Sequence, residues 1–277
     1  MSQNGNADAI RVSCNSLEQI LLVKMDLHDR ISQLSITSQH KAGLKDAISF
    51  ASNITEPIGI VVSGSIVRGN PNPSSDLDIV TLHDGSWRRR VQQLFNGTPT
   101  ELFFNSGEWL HYCITDEAAR GRPVMAHMLS TGVLLADRDG RMAGVIATAR
   151  AILSKGPEMG ASALLTHNYL AACKVEDALD FQGMDVPDAR QAIYLAVDAL
   201  VQYFYLARNL HLPRPKERLS LLAETEPEVA RLLSMALREV PMDALASLEL
   251  VSQMLLDVTG FFEWDSGPDD TAPPTRL

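Results

Sequence analysis

The spacing of apolar residues changes along the chain, and each change marks a different kind of element. Leu17, Ile20, Leu21, Met25 and Leu27 recur at helical intervals, which predicts a helix over 16–28 with Ser16 as its N-cap. A second helix is predicted over 42–52. After Pro57 the period shortens: Ile58-Gly59-Ile60-Val61-Val62 is a β-branched run long enough for a buried strand. Gly, Asn, Pro and Ser crowd positions 63–75, and Asp76 to Leu82 then alternates into a second strand. A third strand is predicted from Thr100 to Phe104, after the turn-like Asn96-Gly97-Thr98-Pro99, and a fourth from Val133 to Ala136. Between them, 108–122 is ambiguous, since Trp109, Leu110 and Tyr112 suit a helix or a short strand.

From Arg141 the strand signal stops. Helices are predicted at about 141–155, 161–183, 188–210, 215–223, 226–239 and 242–263, with Ser162 and Asp188 as capping residues. The stretch from Gly267 to Leu277 has three prolines, an Asp269-Asp270 pair and no apolar period, which predicts a disordered tail. The expected organisation is an α/β half over 1–140, a helical half over 141–265 and a tail over 266–277.

Composition narrows the function more than the fold. The 277 residues, 45% hydrophobic and 21% charged, suit one large or two ordinary globular domains. Thirty-four Asp and Glu against 24 Lys and Arg give a net charge of -10, which argues against a general nucleic-acid binder but leaves room for a nucleotide held through Mg²⁺. Cys14, Cys113 and Cys173 are far apart and suggest neither a zinc site nor a disulfide framework. With no signal-like apolar region near the start and no apolar run of membrane-spanning length, the expected setting is the cytoplasm, away from membranes.

One segment carries chemistry. Val62-Ser63-Gly64-Ser65-Ile66-Val67-Arg68-Gly69 is followed by Pro73-Ser74-Ser75-Asp76-Leu77-Asp78. Strand alternation sends Asp76 and Asp78 to one face, where two like charges repel unless a hard divalent cation such as Mg²⁺ sits between them. Gly64 lets backbone approach a phosphate closely, Ser65 adds a hydroxyl and an N–H, and Arg68 lies one turn further on.

A strand, Gly-Ser, a short helix and then Asp-x-Asp on the next strand resembles the nucleotidyltransferase superfamily related to DNA polymerase beta. The stretch from Glu101 through Trp109, with Gly121-Arg122-Pro123 and His127 to Gly132, is similar to bacterial members grouped with aminoglycoside adenylyltransferases, which carry a helical C-terminal domain. The resemblance implies an α+β fold, a small mixed-sheet nucleotidyltransferase domain followed by an all-helical bundle. It makes Glu101 the third metal carboxylate, with Glu108 as its competitor, and it implies two Mg²⁺ ions and ATP or another NTP as substrate. In-line attack by an acceptor hydroxyl on the α-phosphate then transfers AMP. The acidic residue that such enzymes carry in the helical domain as general base corresponds to Asp177, with Glu101 as the alternative base, and the lysine that grips the triphosphate corresponds to Lys216. A small-molecule hydroxyl, aminoglycoside-like, is the leading acceptor. The alternatives are a protein-directed transferase of the antitoxin type and a nucleotide-binding regulatory module without catalysis.

Other groups have plainer explanations. Glu176, Asp177 and Asp180 suit a solvated helix face, and Arg214, Lys216 and Arg218 a solvated turn. His127 is expected to be a packing residue, and Tyr203, Phe204 and Tyr205 to be core.

Overall fold

The computed structural model describes residues 27–258 and 261–265. The predicted tail and nearly all of the predicted 16–28 helix lie outside the described residues. The chain divides into two compact units. One comprises the residues up to Glu117 with Pro123–Ser154, and the other Ala118–Arg122 with the residues from Lys155 on.

In the first unit two helices, α1 (Leu27–Gln33) and α2 (Ser38–Ile54), precede β1 (Gly59–Ser63) and β2 (Leu77–Leu82). A hairpin of β3 (Arg88–Phe95) and β4 (Thr98–Asn105) follows, then α3 (Gly107–Ala119), α4 (Val124–Thr131), β5 (Val133–Asp137) and α5 (Arg141–Leu153). The sheet order is β3-β4-β2-β1-β5. β2 and β4 run parallel and the other pairs antiparallel, so the sheet is mixed. Alternation splits the strands cleanly between two layers. Ile60, Val62, Ile79, Leu102 and Phe104 pack with Leu44, Ala47 and Ile48 of α2. Val61, Val80 and Leu82 pack with residues of α3, α4 and α5, among them Leu110, Ile114, Leu129 and Met142.

β3 is a strand that the apolar pattern does not announce. Its sequence, Arg88-Arg89-Arg90-Val91-Gln92-Gln93-Leu94-Phe95, is almost wholly exposed, because it is an edge strand with little packed on either face. Asn96 and Gly97 turn the hairpin, both at positive φ (48° and 73°), the conformation that a tight two-residue hairpin turn requires. The ambiguous 108–122 segment is helical as far as Ala119. His127, expected to be a packing residue, is exposed on α4, whose inward face is Met125, Ala126, Met128 and Leu129.

The second unit is an all-helical bundle of α6 (Ala161–Leu179), α7 (Pro187–Ala207), α8 (Arg218–Thr225), α9 (Pro227–Arg238) and α10 (Pro241–Leu256), with a 3₁₀ turn at Pro215–Glu217. Ala172, Val175, Leu200, Phe204, Leu222, Leu233 and Leu248 belong to its core. Phe204 and Tyr205 are buried, and the Tyr205 hydroxyl donates to the Arg218 carbonyl at 3.2 Å. The helix starts agree with expectation to within a residue, but the capping residues differ: Gly160 and Val186 occupy the N-caps, while Ser162 and Asp188 lie inside α6 and α7. The last helix stops at Leu256, where Asp257 takes the left-handed conformation. Among the described residues no helix is long and apolar enough to cross a membrane.

Candidate active site

Sheet register gathers the polar residues of the first unit at one end of the strands. Ser63 on β1 pairs with Asp78 on β2, and Asp78 pairs with Glu101 on β4, so the three form a row across three adjacent strands and share one face. Asp76, just before β2, completes the group: Asp76, Asp78 and Glu101 each place a carboxylate oxygen within 4.8 Å of the others. Glu101 is buried, and the two aspartates are partly buried.

Gly64 makes this proximity possible. It lies at φ +101°, and a Cβ there would stand 2.9 Å from the Asp76 carbonyl oxygen and 3.2 Å from Asp78 Oδ2. Residues 65–69 form a single turn rather than the expected short helix, closed by Arg68 N–H to Gly64 O at 3.2 Å and Asn70 N–H to Ser65 O at 3.0 Å. The loop then returns through Ser75, whose Oγ lies 2.6 Å from Ser65 Oγ and accepts from Asn72 N–H at 2.8 Å. Ser65 is thereby tied to the segment that leads into Asp76.

The electrostatics are those of an under-neutralised cluster. Burial, and then the Asp76 and Glu101 charges, push the Asp78 carboxyl up to about 6, against the opposing pull of Arg68 and Arg90. Arg90 on β3 pairs with Glu101. The buried Ser63 hydroxyl has no hydrogen-bond partner among the described residues. An all-oxygen donor set beside an unpartnered hydroxyl fits a hard divalent cation such as Mg²⁺, with waters and phosphate oxygens completing its shell.

The remaining sequence candidates belong to other elements. Glu108 is in the first turn of α3, not in a loop. Asp177 lies on α6 in the helical unit, exposed and paired with Lys174 Nζ at 2.8 Å, and Lys216 is exposed in the 3₁₀ turn of that unit. Two participants escape the sequence reading. Ser75 reads as a turn residue. Arg90 has no place in the sequence reading, and the signal that could have revealed it is the Asn96-Gly97 hairpin turn, which folds β3 back on Glu101.

No curated protein matches the chain. Among solved structures, the chain is similar to a nucleotidyltransferase-like protein from Exiguobacterium sibiricum, with 14% identity over 78% of this chain and 74% of that one and a TM-score of 0.47. Residues 42–114 match the family model of the nucleotidyltransferase domain. That span runs from α2 into α3 and holds the glycine–serine turn and all three carboxylates, so the likeness to the nucleotidyltransferase domain falls on the part of the chain that carries the candidate site.

Proposed function

We propose that the protein transfers AMP from Mg²⁺-ATP to a hydroxyl of a small-molecule acceptor. The observation that carries this reading is the row of carboxylates beside the Gly64 turn, three like charges within 4.8 Å in a domain whose family performs nucleotidyl transfer. Asp76, Asp78 and Glu101 would hold two Mg²⁺ ions. When bound, these supply charge neutralisation at the triphosphate and acidify the acceptor hydroxyl. The Gly64 turn, with the Ser65 N–H and hydroxyl, holds phosphate oxygens, and Arg68 adds a guanidinium. Lys216 contributes a further charge toward the triphosphate.

In the transfer, the acceptor oxygen forms a bond to the α-phosphorus as the bond to the bridging α–β oxygen breaks, and pyrophosphate leaves with that electron pair. The hydroxyl proton passes to a carboxylate, a role we assign to Asp177. Its ion pair with Lys174 is solvent-exposed, and such pairs are worth only about 0–1 kcal/mol, so an acceptor can displace the lysine at little cost.

Pyrophosphate release from Mg²⁺-ATP, screened against polyhydroxylated amines, aminoglycosides and neutral sugars, tests the proposal. Release with a small acceptor is expected, and Asp177→Asn should depress it while sparing ATP affinity. Full activity in Asp177→Asn would remove that residue from the mechanism. Turnover only with a protein acceptor would replace this reading with protein-directed transfer, and nucleotide binding without any turnover would replace it with a regulatory module.

A further inference from the structure

Arg90 occupies the middle of β3, the edge strand. Pairing sets Arg90 opposite Phe103 and Gln92 opposite Glu101, so the guanidinium lies over the Phe103 ring, 5.2 Å from its centroid, and reaches Glu101 two positions along the neighbouring strand. Nε donates to Glu101 Oε1 at 2.5 Å, and Nη2 meets the same oxygen. The partners are unequal, since the Glu101 side chain is 9% exposed and that of Arg90 is 64% exposed. A fixed, buried carboxylate is covered by a cation whose outer side faces water.

This pairing competes with a cation-loaded triad. A divalent ion at Glu101 needs carboxylate oxygen that Arg90 already engages, and two cations a few ångströms apart repel strongly in a partly dry site. Arg90 therefore has to give up Glu101 when the ion arrives. Its long, exposed side chain is free to turn on the edge strand, and the planar guanidinium fork matches phosphate oxygens. A nucleotide brings such oxygens to the same place at the same moment.

Resting on the nucleotidyl-transfer reading, we infer that Arg90 is a substrate-binding residue that exchanges partners. It neutralises Glu101 while no ion is bound, and it takes a phosphate oxygen of the nucleotide once a divalent ion occupies Glu101. Arg90 then opposes the ion alone and favours the ion together with nucleotide, so the site fills when substrate is present.

The exchange gives the two affinities opposite signs, which a merely structural role would not do. In the full chain, Arg90→Gln should bind Mn²⁺ alone several-fold more tightly than wild type, by electron paramagnetic resonance. The same variant should bind the Mg²⁺ complex of α,β-methylene-ATP about tenfold or more weakly, by calorimetry, for loss of a charge-assisted hydrogen bond. Arg90→Lys keeps the charge and loses the fork, so its Mn²⁺ affinity should stay near wild type and its nucleotide affinity fall between the two. Circular dichroism verifies that the variants fold. If Arg90→Gln weakened both affinities, Arg90 would be a support for Glu101 and the proposal would be wrong. Tighter Mn²⁺ with unchanged nucleotide affinity would make it a counter-ion with no substrate role, which also overturns it. If wild type itself bound neither probe, the nucleotidyl-transfer reading would fall, and that failure is distinct from either result in the variant.

Discussion

Both units match charges in ion pairs, in the sheet unit Arg138 with Glu56 and Arg141 with Asp84 and Asp139 among them, but only the sheet unit, among the described residues, also gathers like charges into a cluster. In the helical bundle, five arginines are each matched to a carboxylate within the unit. Arg218 pairs with Asp198, Arg214 with Glu217, Arg208 with Glu226, Arg190 with Asp185 and Arg231 with Glu228. In the sheet unit, register forces Asp76, Asp78 and Glu101 together, and the nearby arginines answer only part of their charge. Paired charges cost the fold little and fix its geometry, whereas a converged, under-neutralised cluster costs stability and persists where a ligand completes it. The difference separates the part of the chain that is arranged for packing from the part arranged for chemistry.

The sharpest way to break that distinction is Asp78→Asn. Removing a carboxylate from the centre of the row should lower nucleotidyl transfer by about 10²–10³-fold, the scale seen when one electrostatic group is lost from an active site. The same change should stabilise the protein without metal, as a melting curve would show. A substitution in the bundle should do the reverse. Arg218 is buried, its Nε donates to the Pro213 carbonyl at 3.2 Å, and Gln202 donates to Asp198 at 2.6 Å, so the pair is the hub of a local network. Arg218→Ala should destabilise the bundle by roughly 2 kcal/mol, measured by chemical denaturation, with Asp198's partial exposure keeping the cost below that of a fully buried pair. It should leave Mg²⁺-dependent nucleotide affinity close to wild type.

Gly64 offers an intermediate case, because its role is steric. Gly64→Ala meets a positive φ and a carbonyl oxygen 2.9 Å away, so a loss of about 1–3 kcal/mol in stability is expected. Unchanged stability would mean that the turn can relax, and that the carboxylates are not held together by this glycine.

How far the sequence discloses this arrangement depends on how local the signal is. β1, β2 and β4 show themselves because their faces are buried, and alternation or a β-branched run records that burial; β5, at the other edge, shows itself by its apolar run Val133 to Ala136 although only Leu135 is buried. β3 leaves no such record, since an edge strand of Arg and Gln buries almost nothing. The Gly64-Ser65 turn and the Asp76/Asp78 pair are legible because their relation is set within fifteen residues. Glu101 needs a third strand and was reached only through family likeness. Arg90 was out of reach because its contact depends on the hairpin and on a diagonal reach across two strands. The helix starts predicted at 161 and 188 fall within one residue of Ala161 and Pro187, but the caps do not follow the usual residue types: Gly160 and Val186 cap α6 and α7 without a side-chain hydrogen bond, so Ser162 and Asp188 mark the first turn rather than the cap.

The smallest expected effect is a slope with pH. Asp78 ordinarily ionises near 3.8 and is pushed up to about 6 in the fold, so between those values the folded chain holds a proton that the unfolded chain has released. Without metal, stability should therefore fall as pH rises from about 4 to about 6 and stay level above it, as far as this group is concerned. Asp78→Asn should remove that component, a change of about 2–4 °C in melting temperature at pH 7 if roughly 1 kcal/mol survives solvent screening. Added Mg²⁺ should stabilise wild type at pH 7 and lose that effect below pH 6.

The central claim is that the converged carboxylates are a cation site completed by nucleotide. Its most direct test is a Mn²⁺ titration, followed by electron paramagnetic resonance, of wild type and Asp78→Asn in the presence of α,β-methylene-ATP. Saturable binding in wild type, abolished or weakened at least tenfold in Asp78→Asn, is the predicted result. Equal Mn²⁺ binding by the two proteins would contradict the account.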